Sequence, residues 1–522
     1  MSIISQIVQQ GNKIRKQLSI PAPNKMRQQQ IVLRKLLERA MFTEFGKKYN
    51  FEKIILSQEM EKTFKEEVPI HNYIDIKPWW ERARAGERNI TWVGRIKYFA
   101  LSSGTSDGGT KYIPLSSAML KAIKRGGVRQ ILRVTRSKKS PLDFVKTQSL
   151  MIAGSSTLQF DGVSYSGDLS GITISVQPVW FEQFSKPESA ILAKSSWQEK
   201  IEAIVEQAPN WDIGSVAGVP AWVQIIFEKI IEHHKLKTIH DIWPNLNVYI
   251  HGGVAIEPYK KSLAKLFGRE VVYWETYLAS EGFLAYQHQS TSDGMRLFLN
   301  NGVYFEFIPF NETNFDENFD VKKDALSLEL SEVELDKEYA ILISTVAGAW
   351  RYLIGDTIKF VSLRNFEIKI TGRTKHFLSL CGEHLSVDNM NNAIAFLSDE
   401  YQIVINEFTT MGIPHGDLFA HQWYIGCDIE LNTEELKIKL DNHLKILNDD
   451  YAVERKHGLK DVFVTLIPNA YFNEFLQQRG KEGGQTKFPR VLKGTVASDW
   501  ISFLNTKMDT EKTILNSTPA GA

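Results

Sequence analysis

The chain has 522 residues, 43% of them hydrophobic and 24% charged, the balance of a folded protein with more than one domain. Its formal net charge of +1 gives no global reason to expect a nucleic-acid or anionic-membrane partner. Two cysteines, Cys381 and Cys427, stand outside any Cys-x-x-Cys spacing, which argues against a disulfide framework or zinc site and fits a reducing cytoplasm.

The first residues turn polar too soon for a signal peptide, and no apolar run is long enough to cross a bilayer. Residues 27–45 have the period of an amphipathic packing helix, with Leu33, Leu36, Leu37, Ala40 and Met41 on one face. Trp79 and Trp80 lie near Arg82 and Arg84, but Glu81 and Glu87 dilute the charge, so packing is the expectation there. Ser116–Val134 is a predicted helix whose Lys121, Lys124, Arg125, Arg129 and Arg133 read as a solvated face. Strands are expected at Ser149–Gly154, Gly171–Val176, Asn247–Ile250 and Val271–Trp274, and a helix at Ala217–His234. From Gly302 the pattern is β-rich, with strands at Val303–Pro309, Glu338–Thr345 and Thr357–Leu363. Thr371–Lys375 reads as a turn or hinge. Beyond it, helices at Asp388–Glu400, Glu434–Asn448 and Ala470–Arg479 alternate with strands at Gln402–Thr410, His421–Glu430 and Asp461–Ile467, the mixture of a separate α+β domain. Asn505–Ala522 is polar and expected to fray.

Four segments carry chemistry. The stretch from Ser102 to Lys111, Ser-Ser-Gly-Thr-Ser-Asp-Gly-Gly-Thr-Lys, concentrates hydroxyls, free N–H groups and one positive charge, a composition suited to a polyphosphate. It is not a P-loop, because Thr110 stands where the lysine belongs, and it lacks G-x-G-x-x-G. Tyr277, Ser280 and Glu281 offer an aromatic face, a hydroxyl and a hard anionic oxygen suited to Mg²⁺. Arg351-Tyr-Leu-Ile-Gly-Asp356 ends in an acid that could accept ribose hydroxyls. Lys487 sits in a glycine-containing loop before Phe488-Pro-Arg490. Each has a plain alternative: a surface turn for the first, a helix-end charge for Glu281, an Asx-turn for Asp356, a solvated lysine for Lys487.

Taken together and in this order, the segments resemble the GH3 acyl acid-amido synthetases of the adenylate-forming superfamily. Ser102-Ser-Gly-Thr-Ser106 with Lys111 and Ile113-Pro114 resembles the family's first motif, Tyr277-Leu-Ala-Ser-Glu281 the second, and Arg351–Asp356 the third. His251-Gly-Gly253 with Glu257-Pro-Tyr259, and Gly484-Gln-Thr-Lys-Phe-Pro-Arg490, are similar to family segments, and the likeness runs to about Arg490. The third motif departs from the familiar Tyr-Arg followed closely by Gly-Asp, so the position of Arg351 is less secure than that of Asp356.

The resemblance implies an α/β fold of acyl-CoA synthetase and luciferase type: a large multi-layer α/β domain with a β-rich subregion over residues 1–372, a small α+β lid domain over 373–510, and a flexible tail over 511–522. It implies an ATP- and Mg²⁺-dependent ligase that adenylates a small carboxylic acid and passes the acyl group to an amine such as an amino acid. Ser102, Ser103, Gly104, Thr105, Ser106 and Lys111 would hold the phosphates, Gly252, Gly253 and Tyr277 would border the adenine, and Ser280 would face the α-phosphate. Glu281 would bind Mg²⁺, Asp356 the ribose, and Arg373 and Lys375 the nucleotide. Lys487 is the candidate for the lysine that meets the α-phosphate, with Lys481 and Lys493 as nearby competitors, and lid rotation would withdraw it after adenylation. The acid pocket is expected to include Ser215–Trp222. Composition and charge point to a cytoplasmic protein with no nucleic-acid or membrane partner; a monomer is one option, and the sequence does not set the oligomeric state. Two rival readings stand: an acyl-CoA ligase with a thiol acceptor, and a non-catalytic nucleotide or acyl binder.

Overall fold

The computed structural model describes residues 24–102, 111–137, 146–152, 158–177, 183–194, 197–253, 256–316, 319–374, 378, 385, 387–415, 418–448, 451–452, 455–456, 459–480 and 488–517. They form two compact units. The larger takes in described residues of 24–256 and 262–374, and the smaller takes in 257–261 and the described residues from 378 onward.

The larger unit opens with helix Lys25–Ala40, capped by Asn24, whose side chain accepts from the Met26 N–H. Leu33, Leu36, Leu37 and Ala40 recur at helical spacing and are buried against Phe45, Phe51, Ile54 and Trp350. A four-stranded sheet follows, in the order β2 (Lys111–Leu115), β1 (Tyr98–Ser102), β5 (Tyr165–Gly167), β4 (Gln159–Phe160).

The main sheet has eleven strands. One half runs β9 (Val272–Ala279), β8 (Val248–Gly252), β7 (Ile213–Ala217), β3 (Gln148–Met151), β6 (Ser185–Lys186), and every neighbouring pair is parallel. The other half runs β9, β10 (Gly282–Gln287), β11 (Met295–Leu297), β15 (Glu367–Arg373), β14 (Tyr352–Ser362), β13 (Glu338–Thr345), β12 (Val303–Pro309), and every pair is antiparallel. Strand β9 therefore belongs to both halves. The antiparallel half buries Phe283, Phe305, Phe307, Ile341, Ile343, Tyr352, Ile358, Phe360 and Ile368 in one core.

Several segments differ from their sequence-based expectation. Gly171–Val176, with its β-branched Ile-Thr-Ile, forms helix Leu169–Ser175 instead of a strand. Leu169 and Ile172 stand three apart and enter the same core as Ala100 and Ile113, so tertiary burial overrides local β-propensity. Strand β9 continues to Ala279 because β8 and β10 pair with it on both edges; Glu275–Ala279 is thus strand, and only Ser280 and Glu281 form the turn. Strand β15 likewise runs through Thr371–Arg373, where a turn was expected, because Asp356 and Thr357 of β14 pair with Arg373 and Gly372.

The smaller unit is a three-stranded sheet, β16 (Phe408–His415), β17 (Leu418–Gly426), β18 (Leu459–Ile467), with helices on both faces. Trp423 faces the core with helices Val387–Glu400 and Thr433–Leu447, and Tyr424 faces the core with helices Ala470–Gln478 and Gly494–Ser517, as strand alternation requires. The last helix extends to Ser517, through much of the segment whose polarity suggested fraying.

Candidate active site

Ser102 and Lys111 oppose each other at the end of the β1–β2 ladder where β1 finishes and β2 begins. Ser103, Gly104, Thr105 and Ser106 fall between them, outside the described residues, as do Lys375 and Lys487. The Lys111 ammonium lies 5.4 Å from the centre of the Tyr73 ring. Tyr73 also fixes this strand, because its hydroxyl accepts from the Tyr112 N–H at 3.0 Å. Nothing in the sequence pointed to Tyr73, which precedes Lys111 by a whole helix and strand. After β2, Ser116 caps helix Ser117–Val134 through the Met119 N–H. Gly126 of this helix faces Phe283 of β10 so closely that a Cβ would sit 2.4 Å from the ring, which seats the helix against the β9–β10 hairpin.

The hairpin carries the second motif. Gly252 ends β8 beside Thr276, where a Cβ would meet the Thr276 carbonyl at 2.5 Å; Gly253 follows with φ +85°, a conformation that favours glycine. Ser280 and Glu281 lie at the hairpin tip, where the sheet changes from parallel to antiparallel. The carboxyl ends of the parallel strands β8 and β9 lie on this side, the side on which open α/β sheets place ligands. Glu281 is only 8% exposed, and burial first, then the Asp356 carboxylate, push its carboxyl up to about 7, against the pull of Arg373 and Lys111.

Tyr277 points its hydroxyl at Asp356 Oδ2 and donates to it at 2.5 Å. Asp356 lies on β14, four places from β9 in sheet order, which in a flat sheet is about 19 Å. A tyrosine side chain cannot span that, so the antiparallel half curls to bring the two strands together. Arg373 of β15 holds the other oxygen, with Nε 2.8 Å from Asp356 Oδ1, and also donates to the Ile354 carbonyl at 3.3 Å. Lys111, Tyr277, Glu281, Asp356 and Arg373 thus form one electrostatic cluster in the larger unit. Tyr352 joins it: its buried phenol is raised well above the ordinary range by burial and then by Glu281.

Arg351 turns the other way. Its Nε donates to both Glu306 oxygens at 3.1 and 3.2 Å, and its terminal nitrogens reach Ser327 Oγ and the carbonyls of Lys65 and Val68. Within the third motif, then, Asp356 joins the cluster while Arg351 is committed to a structural ion pair. In the parallel half, Ser215 of β7 shares a 2.6 Å hydrogen bond with Ser149 of β3.

The structure is similar to GH3.15 acyl acid amido synthetase, with a TM-score of 0.75 at 15% identity over 92% of this chain and 94% of that one. It is also similar to 2-hydroxyisobutyryl-CoA ligase, solved with 2-HIB-AMP in a postadenylation state, with a TM-score of 0.58 at 14% identity over 93% and 91% of the two chains. The fold is the two-domain fold of adenylate-forming enzymes.

Residues 16–160 and 144–272 match the GH3 family N-terminal domain, 296–373 the GH3 family central domain, and 388–495 the GH3 family C-terminal domain. The chain belongs to the GH3 family. Curated relatives include jasmonoyl–L-amino acid synthetase JAR6 of Nicotiana attenuata, 24% identical over 67% of this chain and 70% of that protein. Another is indole-3-acetic acid-amido synthetase GH3.2 of Arabidopsis thaliana, 25% identical over 65% and 71%. By name, the first joins a jasmonoyl group to an L-amino acid and the second makes an amide of indole-3-acetic acid.

Proposed function

We propose that this chain is an acyl acid-amido synthetase: an ATP-dependent ligase that adenylates a small carboxylic acid and transfers the acyl group to an amine, an amino acid being the natural class. The observation that carries the reading is the Asp356 carboxylate. Tyr277 and Arg373 hold one lone pair on each oxygen, which leaves acceptor capacity for the two hydroxyls of a ribose. Gly252 and Gly253 then border the adenine, and the Tyr277 ring lines that side while its hydroxyl orients Asp356. Arg373 acts on the nucleotide through Asp356, and Lys375 follows two residues on.

An oxygen of the substrate carboxylate attacks the α-phosphorus, and the bond to the leaving pyrophosphate breaks. Charge grows on phosphoryl oxygens, so convergent donors stabilise the transition state. Ser102, Ser103, Gly104, Thr105, Ser106 and Lys111 are assigned to the departing phosphates, Ser280 to the α-phosphate, and Lys487 to the same phosphate during adenylation. The amine then attacks the acyl carbon, AMP leaves, and the amine loses a proton. A buried carboxylate with a raised pKa is a fitting partner for a divalent cation, because it forms no ion pair among the described residues. Glu281 would hold Mg²⁺, which supplies positive charge to the phosphates when bound. No described helix is long and apolar enough to cross a membrane. The thiol composition supports action in the cytoplasm, with the functional division between large and small domains near residue 373.

The test is acid-dependent exchange of pyrophosphate into ATP across a panel of carboxylates, then product analysis with amino acids and with CoA. The expected product is an amide. Thioester formation would move the chain to the CoA ligases, and no exchange with any acid would leave a non-catalytic binder. A Lys487→Ala variant should lose exchange while keeping ATP binding; unchanged exchange would remove Lys487 from the mechanism.

A further inference from the structure

The end of β10 away from the hairpin tip carries a cationic cluster within the larger unit. Tyr286 of β10, Arg296 of β11 and Glu367 of β15 are direct cross-strand partners, so their side chains share one face of the sheet. The His288 ring is beside them, its centre 6.3 Å from that of Tyr286. Helix Ser117–Val134 packs against β10 through Gly126, and just past its end Ser137 Oγ lies 3.3 Å from Ser290 Oγ. Arg133, in the last turn of that helix, acts electrostatically on both His288 and Arg296. Lys25 completes the group. It donates to the Arg364 carbonyl in the turn before β15, and its ammonium lies 5.1 Å from the centre of the Phe366 ring.

The charges do not balance. Glu367 is the carboxylate that acts on Lys25 and Arg296, and three cations against one carboxylate leave an excess of two positive charges. Burial first, and then Arg296, lower the Lys25 ammonium; burial lowers Arg296 as well, and Arg133 adds to it. The hydrogen bonds do not balance either. Arg296 comes no nearer than 3.9 Å to Glu367 Oε1, beyond hydrogen-bond length. Its Nε is buried and has no hydrogen-bond partner among the described residues. The same holds for His288 Nδ1 and for Nε2 of Gln130, a residue 4% exposed that stands one turn before Arg133. A solvated basic face would keep its donors in water. Here like charges and unmet donors are withdrawn from it together, and an anion supplies what both lack.

We infer that Lys25, Arg133 and Arg296, with the side-chain N–H groups of Gln130 and His288, form a binding site for a phosphate dianion, separate from the candidate active site. Two negative charges match the excess of two. The phosphate oxygens accept from several donors at once, and a guanidinium presents its N–H groups in the planar fork that suits them. His288, lowered to about 4 by burial and then by Arg133, Arg296 and Lys25, is neutral at pH 7 and serves as a donor without adding charge. Seven residues of β10 and its ends separate Glu281 from His288, about 20 Å of extended chain, so a phosphate here stands clear of the Glu281–Asp356 cluster. Inorganic phosphate, pyrophosphate and a phosphate monoester share this chemistry.

The experiment is equilibrium dialysis of the full-length protein against inorganic phosphate, with ionic strength held constant by potassium chloride. Arg133→Met, Arg296→Lys and Lys111→Ala are compared with the natural chain. Arg133→Met and Arg296→Lys should each weaken the same bound phosphate by about tenfold or more, and Lys111→Ala should leave it within about twofold. Arg133→Met removes a charge from a half-buried helix position and keeps the apolar stem, so it reports even where Arg296→Lys fails to fold. Its melting midpoint without phosphate should be no lower than that of the natural chain, because a repulsion is gone. Phosphate should then raise the midpoint of the natural chain and not that of the variant. Repeating the dialysis with pyrophosphate and with glycerol 2-phosphate identifies the source by the tightest binding. No phosphate bound at about 10 mM would overturn the proposal. So would binding lost in Lys111→Ala and kept in Arg133→Met, or stabilisation matched by potassium chloride at equal ionic strength.

Discussion

Two arginine–carboxylate pairs in the larger unit share one chemistry and differ in how much of it is used up. In Arg351–Glu306 the side chains are 5% and 1% exposed, and the guanidinium donors meet Glu306, Ser327 and two carbonyls. Ser327 Oγ also donates to Glu306 at 2.9 Å, which completes a closed network. In Arg373–Asp356 the side chains are 37% and 16% exposed, and the carboxylate keeps acceptor sites open. A saturated, buried pair can only hold elements together. An oriented but unsaturated one is ready for a ligand. Arg351 and Asp356 are five positions apart in the chain, so nearness in sequence does not separate the two roles.

Breaking each pair should therefore fail in a different assay. The largest effect is expected at the closed pair. Arg351→Ala leaves Glu306 buried and unpaired, and should cost about 3–5 kcal/mol of unfolding free energy, read by denaturant titration. Replacing both partners with apolar residues of similar volume should cost less than removing one. At the open pair, Asp356→Ala removes two charge-assisted bonds to the ribose, worth about 3 kcal/mol together, or on the order of a hundredfold in exchange rate. Its thermal midpoint should move far less than that of Arg351→Ala. The reverse pattern would exchange the two roles.

Acid and alkali should also separate the two regions. His71 hydrogen-bonds through Nδ1 to the Trp350 carbonyl beside Arg351, and burial lowers its pKa from 6.5 to about 4. The folded protein then binds fewer protons than the unfolded chain in that window. Stability from this site is complete above pH ~6.5 and falls toward pH ~4, by about 3 kcal/mol. Glu281 behaves oppositely. With its pKa raised from 4.5 to about 7, the ligand-free protein binds more protons than the unfolded chain, and stability falls as pH rises across that window, again by about 3 kcal/mol. His71→Asn should flatten the first limb of a melting-temperature profile, and Glu281→Gln the second. A profile unchanged by Glu281→Gln would show that its carboxyl is not desolvated. The smallest effect is expected for Tyr277→Phe, which removes one orienting donor from Asp356 and should slow exchange about fivefold, a loss of about 1 kcal/mol.

Much of the candidate site is legible in the chain because its parts are short runs of distinctive residues. Tyr277 to Glu281, Gly355-Asp356 and the hydroxyl-rich stretch from Ser102 to Lys111 each stand out by composition. Their grouping is not legible. Tyr73 carries no local signal, and Arg351 looks more like a site residue than it is. The helix Leu169–Ser175 reads as a strand because Ile-Thr-Ile favours one locally, while the burial of Leu169 and Ile172 decides otherwise.

The amino-acid sequence by itself determined the helices with a clear apolar stripe, the alternating strands from Val303 to Thr345, and a motif set that places the chain among the GH3 enzymes. These depend on neighbours within a few residues, where spacing and side-chain chemistry suffice. Only the tertiary structure decided that Tyr277 meets Asp356, that Arg373 braces it, and that Arg351 is spent on Glu306. Those contacts join residues 79, 17 and 45 positions apart. The curl of the antiparallel half brings Tyr277 to Asp356, strand pairing sets Arg373 beside it, and side-chain burial turns Arg351 toward Glu306, and none of these is set by local propensity.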